Sequence, residues 1–351
     1  MLHEEASDVL KVLLIGPNYF NYVSSIANAL KELNLTVNIQ SYDDVYKECS
    51  YLQKKLDQLG VTKWKATRLK EWNEHISKTA RDFKPDVCIV CNGIILNAET
   101  LQNIKQGNAR LVLWLLDGLR RNAAFEHNLG AYDQCFVYDQ QDVTYVTQKY
   151  GIPCSHLVSS YDPTIYYPGQ KTRDIDICFT GKPTPKRLAI LKSVAEYAKD
   201  NNRSFVTYGN YWGTRHYWKK YLFKRRYDPL TAFVVNSMIS PEKLADLYRR
   251  SKICLNIHIA EHDGLNPRTF EILGTQSFAL VDDKPELSKH FEVGKHLVTY
   301  CNERDLLEKI DYYLENADIR ERITEDGYSY ILNKYDINTT VNQVWSKIQA
   351  I

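Results

Sequence analysis

The chain has 351 residues, of which 44% are hydrophobic and 25% charged, a globular composition whose length favours two domains. Its 45 lysines and arginines nearly balance 43 aspartates and glutamates, so a strongly basic nucleic-acid-binding protein is excluded and no nucleic-acid partner is expected. Eight cysteines are too few for a disulfide scaffold. The acidic start, MLHEEASDVLKVLLIG, does not resemble a secretion signal and no run reaches transmembrane length, so we expect a cytoplasmic protein.

In the first half of the chain, short apolar runs alternate with amphipathic stretches. The runs VLKVLLIG, LTVNIQ, DVCIVC, LVLWLL and QCFVYD predict strands of a parallel sheet covered by helices on both faces. A single long helix is predicted over 43–59. We expect a Rossmann-like domain over residues 1–165, with Gly16 and Asn18 in the turn after the first strand, lining a cleft. Asp117 follows LVLWLL, and it either positions or deprotonates a substrate hydroxyl or caps the helix that carries Arg120 and Arg121.

The stretch SSYDPTIYYPGQKTRD interrupts this alternation and is typical of a linker. Strands then resume with IDICFTG, SFVTYG, ICLNIHI, SFALV and HLVTY, which predict a second Rossmann-like domain over 166–334. A helix over 335–351 is expected to pack back on the first domain. The α/β chain would then place its chemistry in a cleft where the carboxyl ends of both sheets face each other. Further helices are predicted at 184–200, 240–250, 267–274 and 303–315.

The segment EHDGLNPRTFE, residues 261–271, has the features of an anion site. Asn266 suits the N-cap and Pro267 the first position of a helix, whose free N–H groups favour a phosphate. Arg268 adds a charge and a fork of donors, and Glu271 on the same face is placed to accept from ribose hydroxyls. The alternative is an Arg268–Glu271 pair on the helix surface.

Two other strand ends add to this site. FTGKPTPKR places Gly181 at a strand end, with Lys186 and Arg187 at the start of the next helix as a second anion cradle. SFVTYGNYW places Tyr208 and Gly209 where a nucleobase would stack or hydrogen-bond. His258 and His262 flank the site. Core packing is favoured for His258, whereas His262 is expected beside the cleft.

The run ICLNIHIAEHDGLNPRTFEILGTQSFALVDDKPEL, followed by FEVGKHLVTYCNERDLLEKIDYYLENADIRERI, resembles the C-terminal half of group 1 glycosyltransferases. It most resembles the branch related to the spore-maturation protein CgeB, over about residues 173–345. The resemblance implies a GT-B fold, two Rossmann-like domains facing a cleft, with a nucleotide-sugar donor on the second. Asp263 and Glu271 match a motif of two glutamates separated by seven residues, although Asp263 is one methylene shorter. The resemblance also implies that Asp263 contacts the donor sugar.

Diphosphate binding by Lys186, Arg187 and Arg268 is implied in the same way, and it suits a metal-independent transfer without a cofactor. Two rival metal motifs are present. Asp174 and Asp176 form a DxD pattern, but they open a strand and so lie at the edge away from the cleft. Cys88 and Cys91 form CxxC without a second pair, and residues three apart in a strand face opposite sides.

Residues 211–227 interleave aromatic and basic side chains, which suits anionic lipid headgroups. A polyanion-binding segment and a solvated loop are the alternatives. The candidate contact residues are Arg215, Trp218, Lys219, Lys220, Lys224, Arg225 and Arg226.

Together these features predict a glycosyltransferase that moves a sugar from a nucleotide-diphosphate sugar to a glycan or lipid-linked acceptor in bacterial surface glycan synthesis. We expect it to act in the cytoplasm, in peripheral contact with the membrane. The alternatives are a nucleotide-sugar 2-epimerase of the same fold and a non-catalytic membrane- or polyanion-binding protein on a GT-B scaffold.

Overall fold

The computed structural model describes residues 9–46, 50–61, 63–169, 172–213, 217–259 and 264–350. The chain divides into two compact units, Met1–Leu157 with Ile337–Ile351, and Val158–Asp336. Within the described ranges, no helix is both long and apolar enough to cross a membrane.

The strands are β1 (Lys11–Gly16), β2 (Thr36–Ser41), β3 (Val87–Cys91), β4 (Arg110–Trp114), β5 (Gln134–Val137), β6 (Cys154–His156), β7 (Ile175–Thr180), β8 (Phe205–Tyr208), β9 (Val234–Val235), β10 (Ser251–Asn256), β11 (Ala279–Asp282) and β12 (Val298–Tyr300). The α-helices are α1 (Tyr22–Glu32), α2 (Tyr51–Gln58), α3 (Trp64–Phe83), α4 (Ala98–Gln106), α5 (Gln140–Tyr150), α6 (Pro185–Asp200), α7 (Tyr217–Tyr227), α8 (Leu230–Phe233), α9 (Pro241–Arg250), α10 (Pro267–Gly274), α11 (Pro285–His290), α12 (Glu303–Glu315), α13 (Ala317–Ile331) and α14 (Ile337–Gln349). Short 3₁₀ helices span Tyr19–Asn21, Asp43–Tyr46 and Leu119–Ala131.

The first unit is built on a six-stranded sheet in the order β2-β1-β3-β4-β5-β6, and every neighbouring pair is parallel. The apolar strands are buried on both faces, because successive side chains alternate between two cores. Cys88 packs in one core and Cys91 in the other, so the prediction that they face opposite sides is confirmed. Burial raises the pKa of the Cys91 thiol to about 12. No group of three or more potential metal ligands occurs in the described part of the chain.

Helix α14 belongs to this first unit. Its apolar face joins the core formed by β1, β3 and α1, and Val341, Val344 and Trp345 are buried there. Arg110 donates a hydrogen bond from its guanidinium to the carbonyl of Ile348, which ties the end of α14 to the start of β4.

The second unit has the strand order β12-β11-β10-β7-β8-β9, again with all neighbours parallel. Counted from β7 as the first strand, this is the 3-2-1-4-5-6 order of a Rossmann fold. Strands that follow β7 in the chain are added first on one side of it and then, from β10 onwards, on the other side. β7 and β10 are therefore neighbours in the sheet, with Cys178 opposite Cys254. Ligands of such sheets bind outside the carboxyl ends of the strands at this reversal, called the switch point.

The helices predicted at 184–200, 240–250, 267–274 and 303–315 are present within one residue as α6, α9, α10 and α12. Two predictions in the first unit are wrong. The single helix expected over 43–59 is interrupted, with a 3₁₀ turn at Asp43–Tyr46 and α2 beginning at Tyr51. The helix expected to carry Arg120 and Arg121 is the 3₁₀ segment Leu119–Ala131.

Candidate functional site

The polar side chains of the second unit collect at the carboxyl ends of β7, β8, β10 and β11. Two glycines let the backbone come close there. The N–H of Gly181, after β7, donates to the carbonyl of Tyr208 at 3.0 Å. A Cβ on Gly209 would lie 2.3 Å from the carbonyl oxygen of Gly181, and one on Gly181 would lie 3.0 Å from Nη1 of Arg187. Gly209 therefore needs to be glycine for packing, because the atom it would meet is a main-chain oxygen, whereas at Gly181 the neighbouring side chains would have to shift slightly.

Asn266 is the N-cap of α10, as predicted, but its side chain does not cap the helix. Its amide pairs instead with the amide of Asn256 at the end of β10, through two hydrogen bonds of 2.9 and 2.8 Å. Asn256 also donates to Oγ1 of Thr269 at 2.9 Å. This buried network fixes the start of α10 against β10. Within the first turn, Pro267 has no N–H and the N–H of Thr269 donates to the carbonyl of Asn266 at 3.2 Å.

Arg268, in the first turn of α10, is partly exposed, and its Nε donates to Oγ1 of Thr180 at 3.2 Å. The guanidinium therefore lies at the end of β7, at the switch point. Glu271 is only 3% exposed, so the alternative of an exposed pair on the helix surface is wrong for this residue. Burial raises the pKa of Tyr248, and the nearby Glu271 carboxylate raises it further.

Arg187 is 5% exposed and lies in the first turn of α6. Its Nε and Nη2 donate to the carbonyl of Ile257 at 2.9 and 2.7 Å, and Nη1 donates to the carbonyl of Lys182 at 3.2 Å. The guanidinium also lies 5.6 Å from the ring centre of Phe179. Arg187 thus joins the loop after β7 to the end of β10 and fixes a buried positive charge beneath the switch point.

Lys186 is engaged with a residue that the sequence did not single out. Its Nζ lies 2.6 Å from Oδ2 of Asp282, at the end of β11. The other oxygen of Asp282 accepts from the main-chain N–H of His258 at 2.7 Å and is 2.8 Å from its Nδ1. Burial tends to raise the pKa of Asp282, but the bonds from His258 and Lys186 outweigh it and the pKa is lowered.

His258 is fully buried, as core packing predicts, yet its environment is polar. Burial lowers the pKa of His258 despite the neighbouring Asp282 carboxylate, and the lowered pKa favours the neutral ring. In the neutral ring Nδ1, which faces the carboxylate, carries the proton and donates it. Its Nε2 has no partner among the described residues. The sequence feature that indicates this network is a polar residue at the carboxyl end of each of two apolar strands, namely His258 after β10 and Asp282 at the end of β11.

The site residues predicted in the first unit have local structural roles. A Cβ on Gly16 would lie 2.6 Å from Cβ of Cys91, so Gly16 is required for packing. Oδ1 of Asn18 accepts from the N–H and hydroxyl of Ser24, both at 3.0 Å, at the start of α1. Asp117 accepts from the N–H of Gly118 at 2.9 Å.

At the start of the following 3₁₀ segment, the N–H of Leu119 donates to Oδ2 of Asp142 at 2.9 Å. Three predicted residues, Arg215, His262 and Asp263, lie outside the described residues.

At the opposite, amino edge of the second sheet, the two carboxylates of the DxD pattern form ion pairs with basic side chains. Asp174 binds Arg250, and Asp176 lies 2.7 Å from Nζ of Lys252 and accepts from Ser204. Their predicted position at the start of β7 is confirmed.

The basic segment contains the helix α7. Phe223 is buried, with its ring centre 5.2 Å from that of Trp212 and 5.8 Å from that of Tyr211. Trp218, Tyr221 and Leu222 are exposed at i, i+3 and i+4 and therefore form one stripe. The exposed cations of α7 are Lys219, Lys220, Lys224, Arg225 and Arg226.

Comparison with known proteins agrees with this architecture. The family described as "Glycosyl transferase-like" matches residues 187–346. The matched part of the chain, which is similar to that family, contains Arg187, Arg268, Glu271 and Asp282. No sequence of a curated protein matches the chain.

Several solved structures are similar over nearly the whole chain. Anabaena HepE in complex with UDP-glucose has a TM-score of 0.68 at 11% identity, over 97% of this chain and 100% of that one. Sucrose-phosphate synthase from Thermosynechococcus elongatus has a TM-score of 0.66 at 12% identity, over 97% and 99%. A Listeria monocytogenes protein provisionally assigned as a UDP-N-acetylglucosamine 2-epimerase has a TM-score of 0.63 at 12% identity, over 97% and 96%. At these identities the likeness shows the fold, and the predicted GT-B fold is confirmed.

Proposed function

We propose that the protein is a glycosyltransferase that moves a sugar from a nucleotide-diphosphate sugar to an acceptor. The observation that carries this proposal is the convergence of Arg187, Arg268 and the start of α10 on the switch point of a Rossmann-ordered sheet. Helix N-termini and arginine forks both favour phosphate oxygens. The match of residues 187–346 to a glycosyl transferase-like family supports the same conclusion.

The proposed chemistry is stabilisation of a leaving diphosphate without a metal ion. As the glycosidic bond breaks, about one additional negative charge gathers on the diphosphate. A cation about 4 Å away at an effective dielectric near 20 stabilises that charge by about 4 kcal/mol, or about a thousandfold in rate. Arg268 provides such a charge at the edge of the site and Arg187 provides one beneath it, whereas the charge of Lys186 is offset by Asp282.

The remaining roles follow the resemblance. We assign the ribose hydroxyls to Glu271, the nucleobase to Tyr208 and Gly209, the donor sugar to Asp263, and the acceptor hydroxyl to Asp117. The proposed acceptor is a bacterial surface glycan or its lipid-linked precursor, and the proposed branch is the CgeB-like one.

A panel of UDP, GDP, dTDP, ADP and CMP sugars in a thermal-shift assay tests this function. A ligand that binds only the folded state at about 100 times its Kd adds about 2.7 kcal/mol of stability, so one sugar nucleotide should raise the Tm by several degrees. An unchanged Tm with every member of the panel would contradict the proposal.

We further propose that α7 holds the protein at the cytoplasmic face of an anionic membrane. The stripe of Trp218, Tyr221 and Leu222 gives apolar contact, and the exposed cations of the same helix attract acidic headgroups at about 1 kcal/mol each. Flotation with vesicles containing phosphatidylserine should fall when Lys219, Lys220 and Lys224 are replaced by glutamine. Equal flotation of both forms would end this part of the proposal.

The second candidate is a nucleotide-sugar 2-epimerase, because the Listeria protein assigned to that class has the same fold. The products separate the two reactions. A transferase releases free nucleoside diphosphate in the presence of acceptor, whereas an epimerase returns an isomerised sugar nucleotide without an acceptor.

A further inference from the structure

A chain of three polar residues, Lys186, Asp282 and His258, links α6 to the ends of β10 and β11. Lys186 binds one oxygen of the Asp282 carboxylate at 2.6 Å, and His258 donates to the other oxygen from its main chain and its ring. The side chain of Asp282 is 7% exposed, whereas that of Lys186 is 41% exposed. The carboxylate is therefore enclosed, and the ammonium reaches solvent at the carboxyl edge of the sheet.

The Lys186–Asp282 pair is electrically neutral. The other oxygen of the Asp282 carboxylate is held by the neutral imidazole of His258, so the three residues together carry no net charge. The charged groups that face His258 are Asp282, Lys284 and Lys186. An anion that binds the ammonium of Lys186 is therefore also repelled by the Asp282 carboxylate, which lies 2.6 Å from the same ammonium.

The geometry gives this carboxylate a definite effect on a bound diphosphate. A phosphate oxygen that accepts from Nζ of Lys186 at about 2.8 Å would lie about 4–5 Å from the Asp282 oxygen. At that separation the two negative charges repel strongly even at an effective dielectric near 20. The repulsion grows as charge gathers on the leaving group, so it is greatest for the diphosphate product.

We propose that Asp282, oriented by His258, is a positioning residue that holds the ammonium of Lys186 in place and limits the affinity of the site, so that the diphosphate product is released. This inference rests on the proposed function and deepens it. Product release sets the turnover of many enzymes, so a carboxylate that weakens product binding would serve catalysis.

Calorimetric titration with inorganic pyrophosphate tests the inference, because this probe presents the diphosphate without a base or sugar. Lys186→Ala should weaken binding by about tenfold or more, since it leaves an unpaired carboxylate beside the anion. Asp282→Asn should strengthen binding by about tenfold. The double variant should bind within about threefold of the wild type, because it removes a neutral pair. A double variant as weak as Lys186→Ala would overturn the inference.

The pair Lys252 and Asp176, at the amino edge of the same sheet, is the matched control, with an ion-pair distance of 2.7 Å. Lys252→Ala and Asp176→Asn should leave pyrophosphate affinity unchanged. A change equal to that of the Lys186 and Asp282 variants would show a general effect of charge and would contradict the proposed geometry.

The role of His258 is tested by rescue. Asparagine retains a donor near the position of Nδ1 but nothing at Nε2, so His258→Asn should keep wild-type affinity while His258→Leu alters it. Equal changes in both variants would show that Nε2 itself matters and would overturn the positioning role.

A second readout does not depend on a ligand or on folding of the Asp282 variant. The ¹⁵N resonances of the His258 ring should shift in Lys186→Ala and not in Lys252→Ala; unchanged resonances in both would contradict the network. If the wild type binds neither pyrophosphate nor any sugar nucleotide, the proposed function fails and the inference with it. If the wild type binds but the variants do not follow the stated order, only the inference fails.

Discussion

Replacing Arg268 with alanine removes the partly exposed cation at the switch point while leaving the sheet intact. The guanidinium is held at the end of β7 by its 3.2 Å bond to Thr180. A full charge about 4 Å from the diphosphate at an effective dielectric near 20 contributes about 4 kcal/mol. Because solvent screens a partly exposed group, we halve this value to about 2 kcal/mol, which is about a thirtyfold loss in kcat.

The assay is release of nucleoside diphosphate at saturating donor, with the Tm of each variant as the control for folding. Arg250→Ala is the matched variant, since Arg250 binds Asp174 at the amino edge of the same sheet. We expect Arg250→Ala to retain wild-type kcat, and Arg268→Lys to recover part of the loss because it keeps the charge but not the fork. Equal activity of Arg268→Ala and Arg250→Ala would refute the electrostatic reasoning.

Three further predictions concern stability. Gly209→Ala should cost about 1–3 kcal/mol in chemical denaturation, because its Cβ would lie 2.3 Å from the carbonyl of Gly181, whereas Gly130→Ala, whose Cβ meets nothing within 4 Å, should cost much less; similar losses would contradict the close approach. Trp345→Ala should cost about 3–5 kcal/mol, because Trp345 is buried in the core of the first unit, and a loss below about 1 kcal/mol would show that α14 does not pack there. The lowered pKa of Asp282 stabilises the fold above pH 3.8, the pKa of the unfolded state, and this stability is lost as the pH falls through the folded pKa. The lowered pKa of His258 stabilises the fold fully above pH 6.5, its unfolded pKa, and this stability decreases as the pH falls below 6.5. Acid unfolding of His258→Asn followed by circular dichroism should therefore lack the loss that begins near 6.5; an unchanged profile would contradict the assignment.

Local patterns predicted the repeating elements well. The continuous apolar strands and the proline-led helices α6, α9 and α10 depend on residues close in sequence. The three helices agree with prediction within one residue, and the strands overlap the predicted apolar runs with ends that differ by up to three residues. The strand order of the second sheet was not predicted from the sequence, because it depends on which strands pair across the chain.

The site shows the same division. The position of Asn266 at the start of α10 was predicted correctly. Its side-chain amide, however, forms hydrogen bonds with Asn256, ten residues away, and packing decides between this distant partner and a local one. The network of Lys186, Asp282 and His258 joins three elements separated by as many as 96 residues, so no spacing rule reveals it. Lys186 was predicted as a full cation for the diphosphate, whereas the structure pairs it with a carboxylate.

The 3₁₀ segment Leu119–Ala131 illustrates a different limit. Apolar periodicity there predicts helix without distinguishing a regular α-helix from tighter turns. The N–H of Leu119 at its start donates to Asp142, which lies 23 residues later in the chain, and a local pattern does not reveal this partner.

The most direct test of the central claim is a crystal structure with the sugar nucleotide that the thermal-shift panel selects. The diphosphate is predicted at the carboxyl ends of β7 and β10, accepting hydrogen bonds from the first-turn N–H groups of α10 and from Arg268. A diphosphate bound elsewhere in the second unit, with Arg268 still on Thr180 and no contact to α10, would contradict the account.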